Sequence, residues 1–384
     1  MIQKQTDKIE WREVALGDKT YFEITMGQSP SGETYNKEKK GTPFFQGKAE
    51  FGKKYPSVEK WTTDPCKFAK PEDILMSVRA PVGSINMANI NCCIGRGLAS
   101  IRCNNYIEKD FVYYFLKLNE IKIEKLGSGS TFKAITSKQL LNIKIPLPFL
   151  NGKPDLETQQ KIVSILEKAE ELKSKGKKAL DLLDEYLKSL FNEMFMGKGF
   201  EEVELGDKRY FEIIMGQSPA GSSYNQVRKG VPFFQGKKEF GEKYPIVEQW
   251  TSEPSKIALP NDILISVRAP VGSINLANIK CCIGRGLASI RCKKDIKMDF
   301  VYSFIKVKEK EIESLGKGST FKAITSKQLL NIKIPLPPME LQQKFASIVE
   351  KVEKLKEKQR LENRNAGELF DSLMQKAFNG ELVG

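Results

Sequence analysis

The stretch LGDKTYFEITMGQSPSG at residues 16–32 returns as LGDKRYFEIIMGQSPAG at residues 205–221. With a constant offset of 189 and no gap, residues 16–148 agree with residues 205–337 at about 98 of 133 positions. Repetition on this scale means that one domain is made twice. Each copy is followed by a charged, Leu/Ile-rich segment, near 155–196 and 339–380, so the plan is domain, helix, domain, helix. The expected boundaries are 1–153 and 199–337 for the two domains, with 154–198 and 338–384 for the helices. A chain built this way has internal two-fold pseudosymmetry, and it suits a target that also has two related halves.

The formal charge of +14 and the pI near 9.2 favour a polyanion as partner, because the Lys/Arg excess runs through both copies. Histidine is absent. That removes the commonest general base, the Ser-His and Cys-His nucleophile pairs and most zinc ligand sets. The seven cysteines include no CxxC pair, and Cys66 of the first copy becomes Ser255 in the second. An odd count without a spaced framework reads as reduced packing cysteine, hence a cytoplasmic location. No run of eighteen apolar residues exists and MIQKQTDKIEW carries no signal core, so neither secretion nor membrane insertion is expected.

Within each copy, short runs such as DILMSVRAPVGSINMA (73–88) and CCIGRGLASIRC (92–103) alternate apolar with small or basic residues between turn signals. A short helix is predicted from Asp110 to about Leu118 on the apolar surface of FVYYFLKL. The copies therefore read as α+β domains dominated by curled, mainly antiparallel strands. The connectors differ in kind. Ile162, Ile165, Ala169, Leu172, Gly176, Ala179, Leu183, Tyr186 and Leu190 step by threes and fours. Phe345, Ile348, Val352, Leu355, Gln359, Glu362, Ala366, Leu369 and Leu373 repeat that register at an offset of 183. Both are coiled-coil seams. Asp155 and Pro338 are candidate starts, and Gly197 and Gly380 candidate αL ends. Forty helical residues reach about 60 Å, so an antiparallel pair of such helices would act as a ruler between the domains. The small and polar seam centres, Gly176 and Ala179 against Gln359 and Glu362, either fix register or mark a bend.

No nucleotide loop, methyltransferase signature or nuclease cluster is present. GSGSTFK (127–133) and GKGSTFK (316–322) match no nucleotide fingerprint and read as loops against a nucleic-acid backbone or as plain turns. Basic and amide residues kept in both copies are the candidate DNA contacts. Arg79/Arg268, Arg96/Arg285 and Gln46/Gln235 have the donor geometry to read guanine and adenine edges. Lys40/Lys229, Lys48/Lys237, Lys54/Lys243 and Lys133/Lys322 suit phosphates, and Gln28/Ser29 with Gln217/Ser218 occupy the repeated MGQSP turn. Each Arg could instead pair with a local carboxylate such as Asp73. Phe44, Phe45 and Trp61 are expected in the core rather than against bases. No catalytic or metal-binding residue is expected.

The sequence resembles the specificity subunits of type I restriction-modification systems. The resemblance rests on the LGD opening, MGQSP (26–30), PEDILMSVRAPVG (71–83), and GST...ITSKQLLNIKIPLP followed by ETQQKI or ELQQKF, each found twice and in order. It implies two target-recognition domains joined by two long antiparallel helices, each domain reading half of a bipartite site in double-stranded DNA. It further implies docking of two methyltransferase subunits, with two motor-nuclease restriction subunits as a further addition. S-adenosylmethionine, ATP and Mg2+ would belong to those partners, with no cofactor in this chain. Family members commonly carry two unlike recognition domains. Here the domains are nearly the same, which argues for nearly identical, inverted half-sites. The remaining alternatives are a metal-dependent nucleic-acid enzyme with an Asp/Glu/Lys site and an RNA-binding repeat protein.

Overall fold

Strand Ile74–Ser77 buries all four of its residues, so both faces of its sheet are covered. Because successive side chains point to opposite faces, Ile74 and Met76 enter one core while Leu75 enters another. This sheet runs in the order Phe22–Met26, Leu98–Cys103, Ile74–Ser77, Ile85–Met87, with every pairing antiparallel. On one side lies the large core, which includes helix Lys109–Leu118 through Phe111, Val112 and Leu116. On the other lies a smaller core around Phe45, Cys92, Ile94 and Leu98. It belongs to a second sheet of five short strands, in which Thr42–Phe45 and Cys92–Ile94 form the one parallel pair. Strand Glu10–Ala15 pairs antiparallel with Lys144–Leu150 and closes the domain. The second copy repeats the arrangement, with Ile263 and Ile265 in one core and Leu264 in the other.

The computed structural model describes residues 9–129, 133–316 and 322–382. The long helices are Leu156–Phe195 and Met339–Phe378. Asp155 Oδ1 accepts from the amides of Glu157 and Thr158, which satisfies donors of the first turn that have no intrahelical partner. The Pro338 carbonyl accepts from Leu341 and Gln342. Gly197 and Gly380 have φ of 69° and 76°, the left-handed conformation that ends a helix cheaply only at glycine or asparagine.

Contacts group the chain into two compact units, each drawing on both long helices. One unit combines residues 1–175 with 362–384, and the other is residues 176–361. In the first, Ile162, Val163 and Leu166 share a core with Met374, Ala377 and Phe378, while Lys173 sits 5.4 Å from the Phe370 ring. In the second, Phe191 and Phe195 each lie 5.4 Å from Phe345, and Asp184 meets Lys356 at 2.8 Å. Within each unit, then, the opening half of one helix runs antiparallel to the closing half of the other. Four of the expected apolar seam positions turn outward: Leu172 is 59%, Tyr186 50%, Leu355 55% and Leu369 51% exposed. The helices bury a face against their globular domain as well as against each other, and that second contact takes residues such as Val163 that lie off the heptad.

Candidate nucleic-acid interface

Four loops converge at the strand ends of the first unit. Gln46 and Lys48 follow Thr42–Phe45, Arg79 follows Ile74–Ser77, Arg96 follows Cys92–Ile94, and Lys133 precedes Ala134. Backbone bonds tie the loops together: Gly95 N–H donates to Phe45 O at 2.8 Å, Val78 N–H to Gly97 O at 2.8 Å, and Arg79 and Ala134 form a β-bridge. Gly97 permits the approach, since a Cβ there would stand 2.5 Å from the carbonyl oxygen of Gln46. The result is one open cleft lined by Gln46, Lys48, Lys60, Arg79, Arg96 and Lys133. The second unit builds its counterpart with Gln235, Lys237, Lys238, Arg268 and Arg285. The same bonds hold it, Gly284 N–H to Phe234 O and Val267 N–H to Gly286 O, and Arg268 bridges Ala323 beside Lys322.

Local carboxylates are already engaged. Asp73 is 1% exposed, and its oxygens accept from Arg102 Nε and Nη2, Ser100 Oγ and the Lys70 amide at 2.7–2.8 Å. Glu50, at the cleft wall, turns one oxygen to the Gly47 amide at 3.1 Å. Among the described residues, no side chain hydrogen-bonds or ion-pairs with the basic groups of Lys48, Arg79, Arg96 or Lys133. The same holds for Lys237, Arg268, Arg285 and Lys322. All eight are exposed. A concave surface carrying four such cations is an anion seat by Coulomb's law, and the planar guanidinium forks give it directional donors as well.

The other expected contacts fall elsewhere. Ser29 Oγ accepts from the Arg96 amide at 3.2 Å and Ser218 Oγ from the Arg285 amide at 3.3 Å, so the MGQSP turn braces the arginine loop. Gln28 and Gln217 are exposed on that turn. Lys40 and Lys229 are exposed on a separate turn, tied by their backbones to Asn36 and Asn225. Lys54 and Lys243 do not reach the clefts. Lys54 Nζ meets Asp110 at 2.9 Å, and Lys243 Nζ meets Glu353 of the second long helix at 3.3 Å, all four side chains largely covered. Burial pulls the Lys54 ammonium down, but the hydrogen bond and charge of Asp110 outweigh it, leaving the group above the ordinary lysine value. Phe44 and Phe45 are fully buried, and Phe44 stacks on Tyr35 at 4.8 Å. The GSGSTFK and GKGSTFK loops lie partly outside the described residues, at 130–132 and 317–321.

Sequence reasoning missed Lys60 and Ala49 in the first cleft and Lys238 in the second. Ala49 and Lys238 are equivalent positions next to the shared FFQGK, and aligning the copies could have exposed that difference. Among the described residues there is no group of three or more His, Cys, Asp or Glu able to hold a metal ion, and no helix long and apolar enough to cross a membrane.

Two strand-rich units, each with a cation-lined cleft and a share of two long helices, define a class of DNA-sequence readers. The chain belongs to the type I restriction-modification DNA specificity family, whose model matches residues 8–181 and 197–363. It is 38% identical over 313 residues to the putative type I restriction enzyme MjaX specificity subunit of Methanocaldococcus jannaschii, covering 75% of this chain and 72% of that one. The MjaIX specificity subunit of the same organism is 24% identical over 343 residues, 80% of this chain and 77% of the relative. Among solved structures, a chain from work described as "Structural basis underlying complex assembly and conformational transition of the type I R-M system" superposes with a TM-score of 0.66 at 29% identity, over 98% of this chain and all of the other. The type I restriction-modification S subunit of M. genitalium shares the fold, with a TM-score of 0.56 at 20% identity and 98% coverage of both chains. The chain is thus a type I specificity subunit whose role is recognition of DNA sequence.

Proposed function

We propose that each unit seats one half of a bipartite site in double-stranded DNA across its cleft, and that the long helices dock two methyltransferase subunits. The carrying observation is the repeated cleft, four cations with no ion-pair partner among the described residues, built twice from the same residue types. Phosphates neutralise such cations with release of counterions, while the Arg and Gln forks face base edges. Because Gln46/Gln235, Arg79/Arg268 and Arg96/Arg285 are identical in the two copies, the half-sites are nearly the same sequence, presented as an inverted pair about the unread spacer. Docking draws support from the outward apolar residues: Leu172 with Leu355 and Tyr186 with Leu369 are equivalent positions on the two helices, and each unit exposes one residue from each helix. Matching patches imply two copies of one partner. The chain itself performs no chemistry, and S-adenosylmethionine, ATP and Mg2+ enter with the methyltransferase and restriction subunits.

The deciding experiment is reconstitution with a type I methyltransferase subunit, followed by mapping of methylated adenines. The expected result is one methylated adenine in each of two inverted half-sites, with two methyltransferase copies per chain. Two unrelated half-sites, or methyl transfer by the chain alone, would overturn the reading.

A further inference from the structure

The second unit contains a half-enclosed cavity of about 300 Å3 beneath helix Met298–Val307, at the lower end of the range for small-molecule sites. Its apolar wall includes Leu187, Leu276, Met298 and Val349, and its polar side includes Glu353 and Asp299. The duplication shows why it is open. In the first unit, the positions equivalent to Ser303 and Leu187 are Tyr114 and Phe370. Those two rings pack against each other with centroids 6.3 Å apart, and the Tyr114 phenol donates to Glu170 at 2.9 Å. Glu170 is the counterpart of Glu353, which lines the cavity of the second unit. Replacing tyrosine by serine and phenylalanine by leucine therefore removes a phenol and trims a ring, while the acceptor that held the phenol stays.

The remaining polar groups leave that acceptor usable. Lys243 and Lys356 each stand 3.3 Å from a Glu353 oxygen, and Lys356, 4% exposed, is also held by Asp184 at 2.8 Å. A carboxylate offers about four lone-pair sites, so Glu353 retains room for another donor. Asp299 has no ion-pair partner among the described residues, whereas its counterpart Asp110 is paired with Lys54.

We infer that this cavity is a ligand site for a phenol-class molecule, a single aromatic ring carrying one hydroxyl, with the ring on Leu276, Met298 and Val349 and the hydroxyl donating to Glu353. The first unit supplies its own occupant covalently, and the second takes one from solution. Burying a ring against apolar carbon supplies the affinity, and the hydroxyl supplies the selection, since only a ring that carries it gains the charge-assisted hydrogen bond to Glu353.

Saturation-transfer NMR on the full chain with p-cresol, and with toluene as the hydroxyl-free match, tests this. The expected result is saturable p-cresol binding at least tenfold tighter than toluene, lost in Ser303→Tyr, whose phenol fills the space, and weakened in Leu187→Phe. Tyr114→Ser should add a second p-cresol site in the first unit. Circular dichroism shows whether each variant is folded, and Leu187→Phe carries the test should Ser303→Tyr misfold. Absence of saturable p-cresol binding, equal binding of toluene, or binding untouched by both cavity-filling variants would overturn the assignment.

Discussion

Arg102 grips Asp73 with two parallel hydrogen bonds, Nε to Oδ1 at 2.7 Å and Nη2 to Oδ2 at 2.8 Å, and Arg291 grips Asp262 the same way at 2.9 Å. Asp73 precedes strand Ile74–Ser77 and Arg79 follows it, so the clamp fixes the end of the strand opposite the cleft. Removing one partner of a buried pair strands the other. Arg102→Ala should cost about 3 kcal/mol, the low end for such pairs because Arg102 is partly exposed. Denaturant titration measures this, and DNA affinity of the folded fraction should stay where it was, since the clamp lies away from the cleft.

Arg79→Ala or Arg268→Ala should cost about 1–3 kcal/mol of specific binding and relax selection in one half-site only. Lys48→Ala or Lys237→Ala should weaken binding to all sequences alike and lower the salt slope by about one. Binding isotherms at several salt concentrations, on matched and scrambled duplexes, separate the two.

Lys54 and Lys243 lie outside the clefts in internal ion pairs, Lys54 with Asp110 of the short helix and Lys243 with Glu353 of the long one. Lys54→Met should cost about 1–3 kcal/mol of stability, the penalty for leaving the largely covered Asp110 carboxylate without its partner, and leave the salt slope of DNA binding where it was. A reduced slope with unchanged stability would return this lysine to the DNA surface.

The clefts differ at Ala49 against Lys238, and the first-cleft Lys60 is Gln249 in the second copy. Lys238→Ala with Ala49→Lys should exchange the part of the affinity difference between the half-sites that this position carries, with Lys60→Gln and Gln249→Lys exchanging the rest. Competition between symmetric duplexes carrying either half-site twice reads it directly.

Burial raises the Asp299 carboxyl, Glu353 and Glu350 raise it further, and Lys243 opposes them, with a net upward shift. A carboxyl raised on folding contributes stability below its unfolded value of 3.8, and that contribution is lost as pH rises through the folded value. Asp299→Asn should therefore be neutral in strong acid and stabilising at neutral pH, with the gap opening above pH 3.8 in thermal melts. Thiol titration offers a second chemical check: burial pushes Cys92, Cys103, Cys281 and Cys292 up to about 12, while Cys66 is exposed. One fast-reacting thiol per native chain is expected, lost in Cys66→Ser.

The duplication, the helix caps and most of the cleft residues were legible because each depends on local signals: a repeated string, an Asp before a helix, a glycine after one, a basic residue in a turn. What was not legible depends on what meets what. The heptad pointed Leu172 and Leu369 into a seam, but Val163 and Met374, packed against the domain, take burial that a two-helix pattern cannot anticipate. Lys54 looked like any lysine of a basic loop until Asp110, far along the chain, was found beside it. The assignment of residues 362–384 to the first unit had no local signal at all.

That last feature governs the order in which the chain can fold on the ribosome. Met374, Ala377 and Phe378 complete the core that begins with Val14, and Phe378 packs 5.0 Å from Phe111. The unit translated first is therefore finished last. Residues 176–361 contain everything their own core requires and can close while the end of the chain is still being made. Until then Phe111 keeps the neighbours of its own domain but lacks the Phe378 ring, so apolar surface stays open longest in the unit made first.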